Sequence, residues 1–142
     1  MNNQFKSIYD KTLQETIDIH ILIENCFTGN NIKDINLAKV EFLSHFHENF
    51  YMIGASGVTF NYEKLGAWFP SAYNSRPGNK IEILNFKLHS YNDHQVLVTY
   101  EEKQNFANEI LHRVSTGILV PSVNTKTGYI YQHLHETWLP KN

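Results

Sequence analysis

The sequence of 142 residues contains one cysteine and only two arginines. The single Cys26 cannot form an internal disulfide bond, which favours a reducing compartment such as the cytoplasm. With only Arg76 and Arg113 and a formal net charge of -2, the sequence lacks the basic surface that nucleic acid or an anionic membrane would require. No apolar run is long enough to span a membrane, and the polar first 16 residues do not resemble a signal peptide.

Several catalytic and metal-binding motifs are also missing. The sequence has no glycine-rich phosphate loop, no nucleophilic serine elbow and no zinc-ribbon spacing. Cys26 has no base beside it in the sequence, so we interpret it as a small buried residue rather than a nucleophile. Two His-x-His pairs, ending at His47 and His135, have no third ligand type beside them. We therefore predict no metal site and no cofactor.

The sequence is instead rich in residues that form a core. Apolar residues make up 42% and aromatic residues 13%, which predicts one folded domain over residues 1–142. Apolar positions recur at helical spacing over 3–27, so this stretch is predicted to be a long amphipathic helix. A second helix is predicted over 35–46, with Asp34 as its N-cap.

After the second helix the pattern changes to that of strands. Two short strand-like runs, 49–54 and 58–60, are typical of a hairpin and are followed by a short helix at Tyr62–Phe69 that ends before Pro70. Long strands separated by short turns then predict an antiparallel meander, at 80–90, 94–105, 109–121 and 129–138. Because most helices precede the strands, the predicted class is α+β.

This order of elements resembles the nuclear transport factor 2-like superfamily, in its branch of small stand-alone domains. The stretch from Leu43 to Leu65 is similar to the superfamily's early block. The last strand is similar to the aromatic-x-x-x-His-x-His-x-Ser ending of the calcium/calmodulin-dependent kinase association domain, here Tyr129, His133, His135 and Thr137. The resemblance implies a cone-shaped, curved antiparallel sheet wrapped around the N-terminal helices. It also implies a pocket inside the cone and dimerisation through the outer sheet face.

Alternation along the last strand assigns its side chains to two faces. One face is predicted to carry Glu136 between Leu134 and Trp138. The other face is predicted to form a homodimer interface, through Tyr131, His133, His135 and Thr137. Imidazoles from both subunits would meet there, so the dimer is expected to weaken as they protonate near pH 6. Sizing the protein from about pH 8 to about pH 5 tests this expectation.

Glu136 is the leading candidate for a functional ionisable group. Its apolar neighbours would partly desolvate the carboxyl group and raise its pKa, which suits a general acid or base. The alternative is an ion pair with Arg113. Arg113 is itself predicted either to orient a ligand carboxylate or to pair with Glu136 or Glu101.

Further pocket candidates come from the first helix and from aromatic residues. His20 lies four residues before Glu24, so the two could pair, either facing a ligand or as an ordinary exposed pair. Trp68, Tyr73 and Tyr100 are predicted to form aromatic walls that favour an apolar ligand.

Three functions remain open at this point. The first is a small-molecule binding or sensing domain anchored by Glu136, Arg113 and His20. The second is a SnoaL-like or isomerase-like enzyme in which Glu136 or His20 transfers a proton. The third is a non-catalytic association module. No aspartate lies within the long strands, so the acid patterns of this superfamily's isomerases and epoxide hydrolases are not recognisable, which favours binding over catalysis.

Overall fold

The computed structural model describes residues 2–140 and has three helices and six strands. The elements in chain order are α1 (Asn3–Thr28), α2 (Ile35–Leu43), β1 (Phe46–Ile53), β2 (Thr59–Asn61), α3 (Tyr62–Ala72), β3 (Lys80–Tyr91), β4 (Val96–Phe106), β5 (Glu109–Pro121) and β6 (Tyr129–Trp138). The predicted α+β class is confirmed. None of the described helices is both long enough and apolar enough to cross a membrane.

The six strands form one curved, open sheet in the order β2-β1-β6-β5-β4-β3. Neighbouring strands are antiparallel except β1 and β6, which run parallel. The predicted antiparallel meander of the four long strands is confirmed, and the parallel pair β1 and β6 is an addition to it. These two strands are far apart in the sequence, so no hairpin turn forces them to run in opposite directions.

α1 packs on the inner side of the curved sheet, against β3 and β6. Asn2 caps its first turn by accepting a hydrogen bond from the backbone N–H of Phe5 at 2.6 Å. Gly29 ends the helix with a φ of 75°, a conformation that glycine adopts without strain. The buried side of α1 carries apolar residues such as Ile19 and also four polar ones, Thr12, Glu15, Thr16 and His20.

Two helix ends differ from the prediction. α2 ends at Leu43 rather than at residue 46, because the backbone at Phe46 already pairs with Tyr131 of β6. Sheet pairing thus overrides the helical spacing of Phe46 with Phe42. α3 continues through Pro70 to Ala72, although proline removes one backbone hydrogen bond and its ring crowds the preceding turn.

An extra residue in β6 changes which side chains face the helices. Ile118 of β5 pairs with His133 and the next residue, Leu119, pairs with Tyr131, so Gln132 forms a β-bulge. Tyr131 therefore points to the concave side, where it is 1% exposed and its hydroxyl bonds Thr16 at 2.5 Å. The prediction that Tyr131 shares the outer face with His133 and belongs to the dimer interface is wrong.

Candidate ligand-binding cavity

A cavity of about 370 Å³ lies between the concave side of the sheet, α1 and α3. Its walls are mostly apolar and aromatic, including Ile19, Ile23, Phe27, Phe42, Phe46, Met52, Phe60, Leu65, Trp68 and Leu134. Trp138 and the hairpin between β1 and β2 also line it, and the Trp138 indole N–H donates to Ser56 Oγ at 3.2 Å. A cavity of this size and lining is typical of sites for small organic molecules.

A buried chain of charged groups forms the polar part of the cavity wall. Glu102 of β4 is 3% exposed and accepts hydrogen bonds from His20 Nε2 at 3.1 Å and from Arg113 at 3.2 Å. Arg113 also donates to Glu136 at 3.3 Å. The guanidinium of Arg113 lies 5.1 Å from the centre of the Trp138 ring, a favourable cation–π arrangement.

The pKa of Glu102 is lowered to about 2. Burial opposes its ionisation, but the charge and hydrogen bond of His20, together with the charge of Arg113 and a hydrogen bond from Gln104, outweigh burial. Glu102 is therefore an ionised carboxylate whose oxygens are already occupied by donors. It acts as the counter-ion that holds the cationic side chains in place.

His20 is held as an imidazolium. Its Nδ1 faces the carbonyl oxygen of Thr16 at 2.7 Å and its Nε2 faces Glu102, so both ring nitrogens meet acceptors and both carry protons. Burial opposes this charge, but Glu102 and the Thr16 carbonyl outweigh it and raise the pKa of His20. With no free lone pair on its ring, His20 is poorly suited to act as a base.

The predicted partner of His20 is wrong. Glu24 does not pair with His20 but accepts a hydrogen bond from the backbone N–H of Ile81 at 2.7 Å. Glu24 thus joins α1 to the start of β3. The buried partner of His20 is Glu102, which comes from a distant strand.

Glu136 differs from Glu102 in its electrostatic environment. Burial raises the pKa of Glu136, and the nearby Glu102 charge raises it further, while Arg113 lowers it only in part. The ion pair of Glu136 with Arg113, predicted as one alternative, is confirmed. The alternative pair with Glu101 is wrong, because Glu101 bonds His112 on the other side of the sheet. Among the carboxyl groups in the cavity wall, Glu136 is therefore the one best suited to exchange a proton.

Tyr100 places a buried aromatic ring and hydroxyl in the cavity wall. The side chain is 1% exposed and lines the cavity, and its ring meets that of His20 edge-on at 5.5 Å. Its hydroxyl lies beside that of Ser115 on β5, whose hydrogen bonding lowers the pKa of Tyr100, and neither hydroxyl has another hydrogen-bond partner within residues 2–140. Burial is the main cause that raises the pKa of Tyr100 well above its usual range, so this group is a neutral hydrogen-bond donor. Buried polar groups are rarely left unpaired, and Ser115, which faces Tyr100 across β4 and β5, is its partner within the described residues.

A second arginine reaches the cavity from the loop between α3 and β3. Arg76 donates to Gln104 Oε1 at 3.0 Å, and its guanidinium lies 4.8 Å from the centre of the Phe27 ring. Gln104 in turn donates to Glu102 at 2.6 Å, so it connects the two charged regions. Both arginines of the sequence therefore line the cavity.

The structure brings together most of the predicted pocket residues. His20, Arg113, Glu136, Trp68 and Tyr100 all line the cavity. Tyr73 does not line it. It follows the last residue of α3 with 37% of its surface exposed, so the prediction of Tyr73 as a pocket wall is wrong.

Glu102 and Arg76 are the two charged cavity residues that the sequence analysis missed. Glu102 had a usable signal, because it follows Tyr100 by two residues and strand alternation places both on one face. Arg76 had none, since a loop residue has no periodicity to show where its side chain points.

No protein-family model and no curated protein sequence matches the chain. Among solved structures, a nuclear transport factor 2-like protein of unknown function from Pseudomonas aeruginosa is similar, with 27% identity and a TM-score of 0.83 over 92% of this chain and 99% of that one. The chain belongs to the nuclear transport factor 2-like superfamily.

More distant members of the nuclear transport factor 2-like superfamily share its fold with this chain. Nuclear transport factor 2 from Cryptosporidium parvum is 13% identical, with a TM-score of 0.63 over 98% of each chain. The CaMKII hub of S. rosetta is 15% identical, with a TM-score of 0.64 over 89% of this chain and 95% of that one. At these identities the nuclear transport factor 2-like fold alone is shared, so function has to be argued from the cavity.

Proposed function

We propose that the protein is a small-molecule binding or sensing domain whose ligand has an apolar body and a hydrogen-bonding group. The open, mostly apolar cavity, with the buried Tyr100 side chain in its wall, is the observation that carries this proposal. A ligand carbonyl or hydroxyl would accept a hydrogen bond from Tyr100, while the hydrocarbon part of the ligand would displace water from walls such as Trp68 and Phe42. The Glu136–Arg113 pair leaves the cavity open, which favours binding over a vestigial pocket.

Benzylacetone, a neutral phenylalkyl ketone, is a suitable probe of this proposal. We expect it to bind the wild-type protein and to bind Tyr100→Phe about three- to tenfold more weakly, because the variant lacks one hydrogen-bond donor. Tyr73→Phe is the matched control, since Tyr73 lies outside the cavity, and its affinity should be unchanged. Titration followed by tryptophan fluorescence measures all three dissociation constants. Equal affinities of wild type and Tyr100→Phe would contradict the proposed contact.

A proton-transfer enzyme is the second candidate, favoured by the raised pKa of Glu136. In this scheme the Glu136 carboxylate takes a proton from the carbon beside a ketone carbonyl. The electron pair of the broken C–H bond moves to the carbonyl oxygen, which accepts a hydrogen bond from Tyr100. Return of a proton to the same carbon completes the cycle.

Deuterium exchange separates this enzyme from a pure binding domain. If Glu136 is a base, benzylacetone in D₂O should exchange the hydrogens beside its carbonyl in the presence of protein, and Glu136→Gln should lower that rate at least a hundredfold, to the uncatalysed background. NMR of the ketone measures the exchange. Binding without any exchange would reject the enzyme and leave the binding function standing.

We also propose that the protein is a cytoplasmic homodimer that uses the outer face of the sheet. His133, His135 and Thr137 lie on that face, where the Tyr51 ring stacks on His133 with centres 5.8 Å apart. The lone Cys26 supports a reducing compartment. Sedimentation over a range of concentrations tests the assembly, and a monomer at every concentration would contradict it.

A further inference from the structure

The charges that line the cavity do not balance. The cationic side chains in its wall are His20, Arg76 and Arg113, and the carboxylates are Glu102 and Glu136. Glu102 pairs with both His20 and Arg113, and Glu136 pairs with Arg113. Arg76 is the cation left over.

Arg76 is positioned by the fold but has no counter-ion. Its backbone N–H donates to the carbonyl of Phe27 at 2.8 Å, and one guanidinium nitrogen donates to the neutral amide of Gln104. Within residues 2–140, no carboxylate lies within ion-pair distance of Arg76. Gln104 stands between Arg76 and Glu102, so the nearest buried negative charge is already used by other cations.

We propose that the ligand of this cavity is a carboxylate, and that Arg76 binds its carboxylate group. This inference rests on the proposed binding function and specifies the class of its ligand. A guanidinium offers several N–H donors in one plane, of which only one is used by Gln104, so the others remain for a planar carboxylate. The Phe27 ring under the guanidinium and the nearby Trp68 ring, which meets Phe27 edge-on at 5.8 Å, provide an apolar surface for the ligand's body.

Arg113 is a poorer candidate for the same role. Two of its nitrogens donate to Glu102 and Glu136, and its face is covered by Trp138. A ligand carboxylate placed there would lie beside two carboxylates and be repelled by them. The carboxylate is therefore assigned to the Arg76 side of the cavity.

Hydrocinnamate and hydrocinnamamide form a matched pair for the test, because they differ only in replacing a carboxylate by a neutral amide. At pH 7.5 we expect the wild-type protein to bind hydrocinnamate at least tenfold more tightly than the amide, as calorimetric titration measures. Arg76→Gln should lose this preference while binding the amide as before. Lys87→Gln, which removes a positive charge from an exposed side chain of β3, is the control and should retain it.

The possible outcomes separate the two proposals. Equal binding of the two compounds by the wild-type protein, or a preference that survives in Arg76→Gln, overturns the assignment of the carboxylate while leaving a binding cavity. Failure of hydrocinnamate, its amide and benzylacetone to bind overturns both proposals. If Arg76→Gln does not fold, Arg76→Lys decides instead. This variant keeps the positive charge but lacks the planar set of guanidinium donors, so the preference for hydrocinnamate over its amide should fall by at least about threefold. An unchanged preference would contradict the role of Arg76.

Discussion

Glu102 is the residue on which the polar side of the cavity depends. It is fully buried, and it accepts hydrogen bonds from His20, Arg113 and Gln104. These three side chains come from α1, β5 and β4, so a single carboxylate connects three elements through its two oxygens. Its loss would leave two buried cations without their main counter-ion.

We predict that Glu102→Gln lowers the free energy of unfolding by about 3 kcal/mol, because removing one partner of a buried ion pair leaves uncompensated charge. Urea unfolding followed by tryptophan fluorescence measures the change. Glu101→Gln is the matched control. Glu101 is adjacent to Glu102 on β4, on the opposite face, and its side chain is 25% exposed. Its replacement should lower the free energy of unfolding by less than about 1 kcal/mol. Similar losses of unfolding free energy in the two variants would contradict the role of Glu102 as a buried counter-ion.

Residue-level prediction from the sequence succeeded for two residues on regular stretches of strand, where alternation holds. Glu136 and Tyr100 were both predicted at the pocket, and both line the cavity. The pairing of His20 could not be predicted in the same way, because helical spacing shows only neighbours on α1. Its actual partner, Glu102, lies 82 residues away in sequence and meets it only through packing of the helix on the sheet.

At the scale of elements, the β-bulge in β6 is the feature that changed the prediction most. A regular strand would put Tyr131 on the same face as His133, but the extra residue Gln132 turns Tyr131 inward. The space for its ring is provided by Gly117 on the neighbouring strand. A Cβ atom at Gly117 would lie 2.6 Å from the Tyr131 ring. A bulge depends on the pairing of two distant strands, so local sequence does not reveal it.

We expect Gly117→Ala to destabilise the protein by about 1–3 kcal/mol, the usual cost of overpacking a core. The Tyr131 ring cannot move away easily, because its hydroxyl is bonded to Thr16 and the side chain is buried. A Tyr131→Leu background, which removes the ring, should remove most of this cost, and chemical unfolding of the four proteins measures the coupling. An equal loss of stability on Gly117→Ala in both backgrounds would contradict the claim that Gly117 makes room for the Tyr131 ring.

On the scale of the whole molecule, the fold could be predicted well and the cavity only in part. The order of helices and strands indicated the curved sheet around helices, and the structure confirms it. Side chains that enter the cavity from loops, such as Arg76, depend on tertiary contacts like the hydrogen bond between its backbone N–H and Phe27. Its charge is visible in the sequence, but its position is not.

The central claim is that a small organic molecule occupies this cavity, and the two tryptophans of the chain provide a direct test. Both Trp68 and Trp138 line the cavity. The measurement is a titration of ¹⁵N-labelled protein with benzylacetone, followed at the two indole N–H signals. The account predicts that both signals shift together and saturate with one dissociation constant. Saturable binding that leaves both indole signals unchanged, or no binding at all, would contradict it.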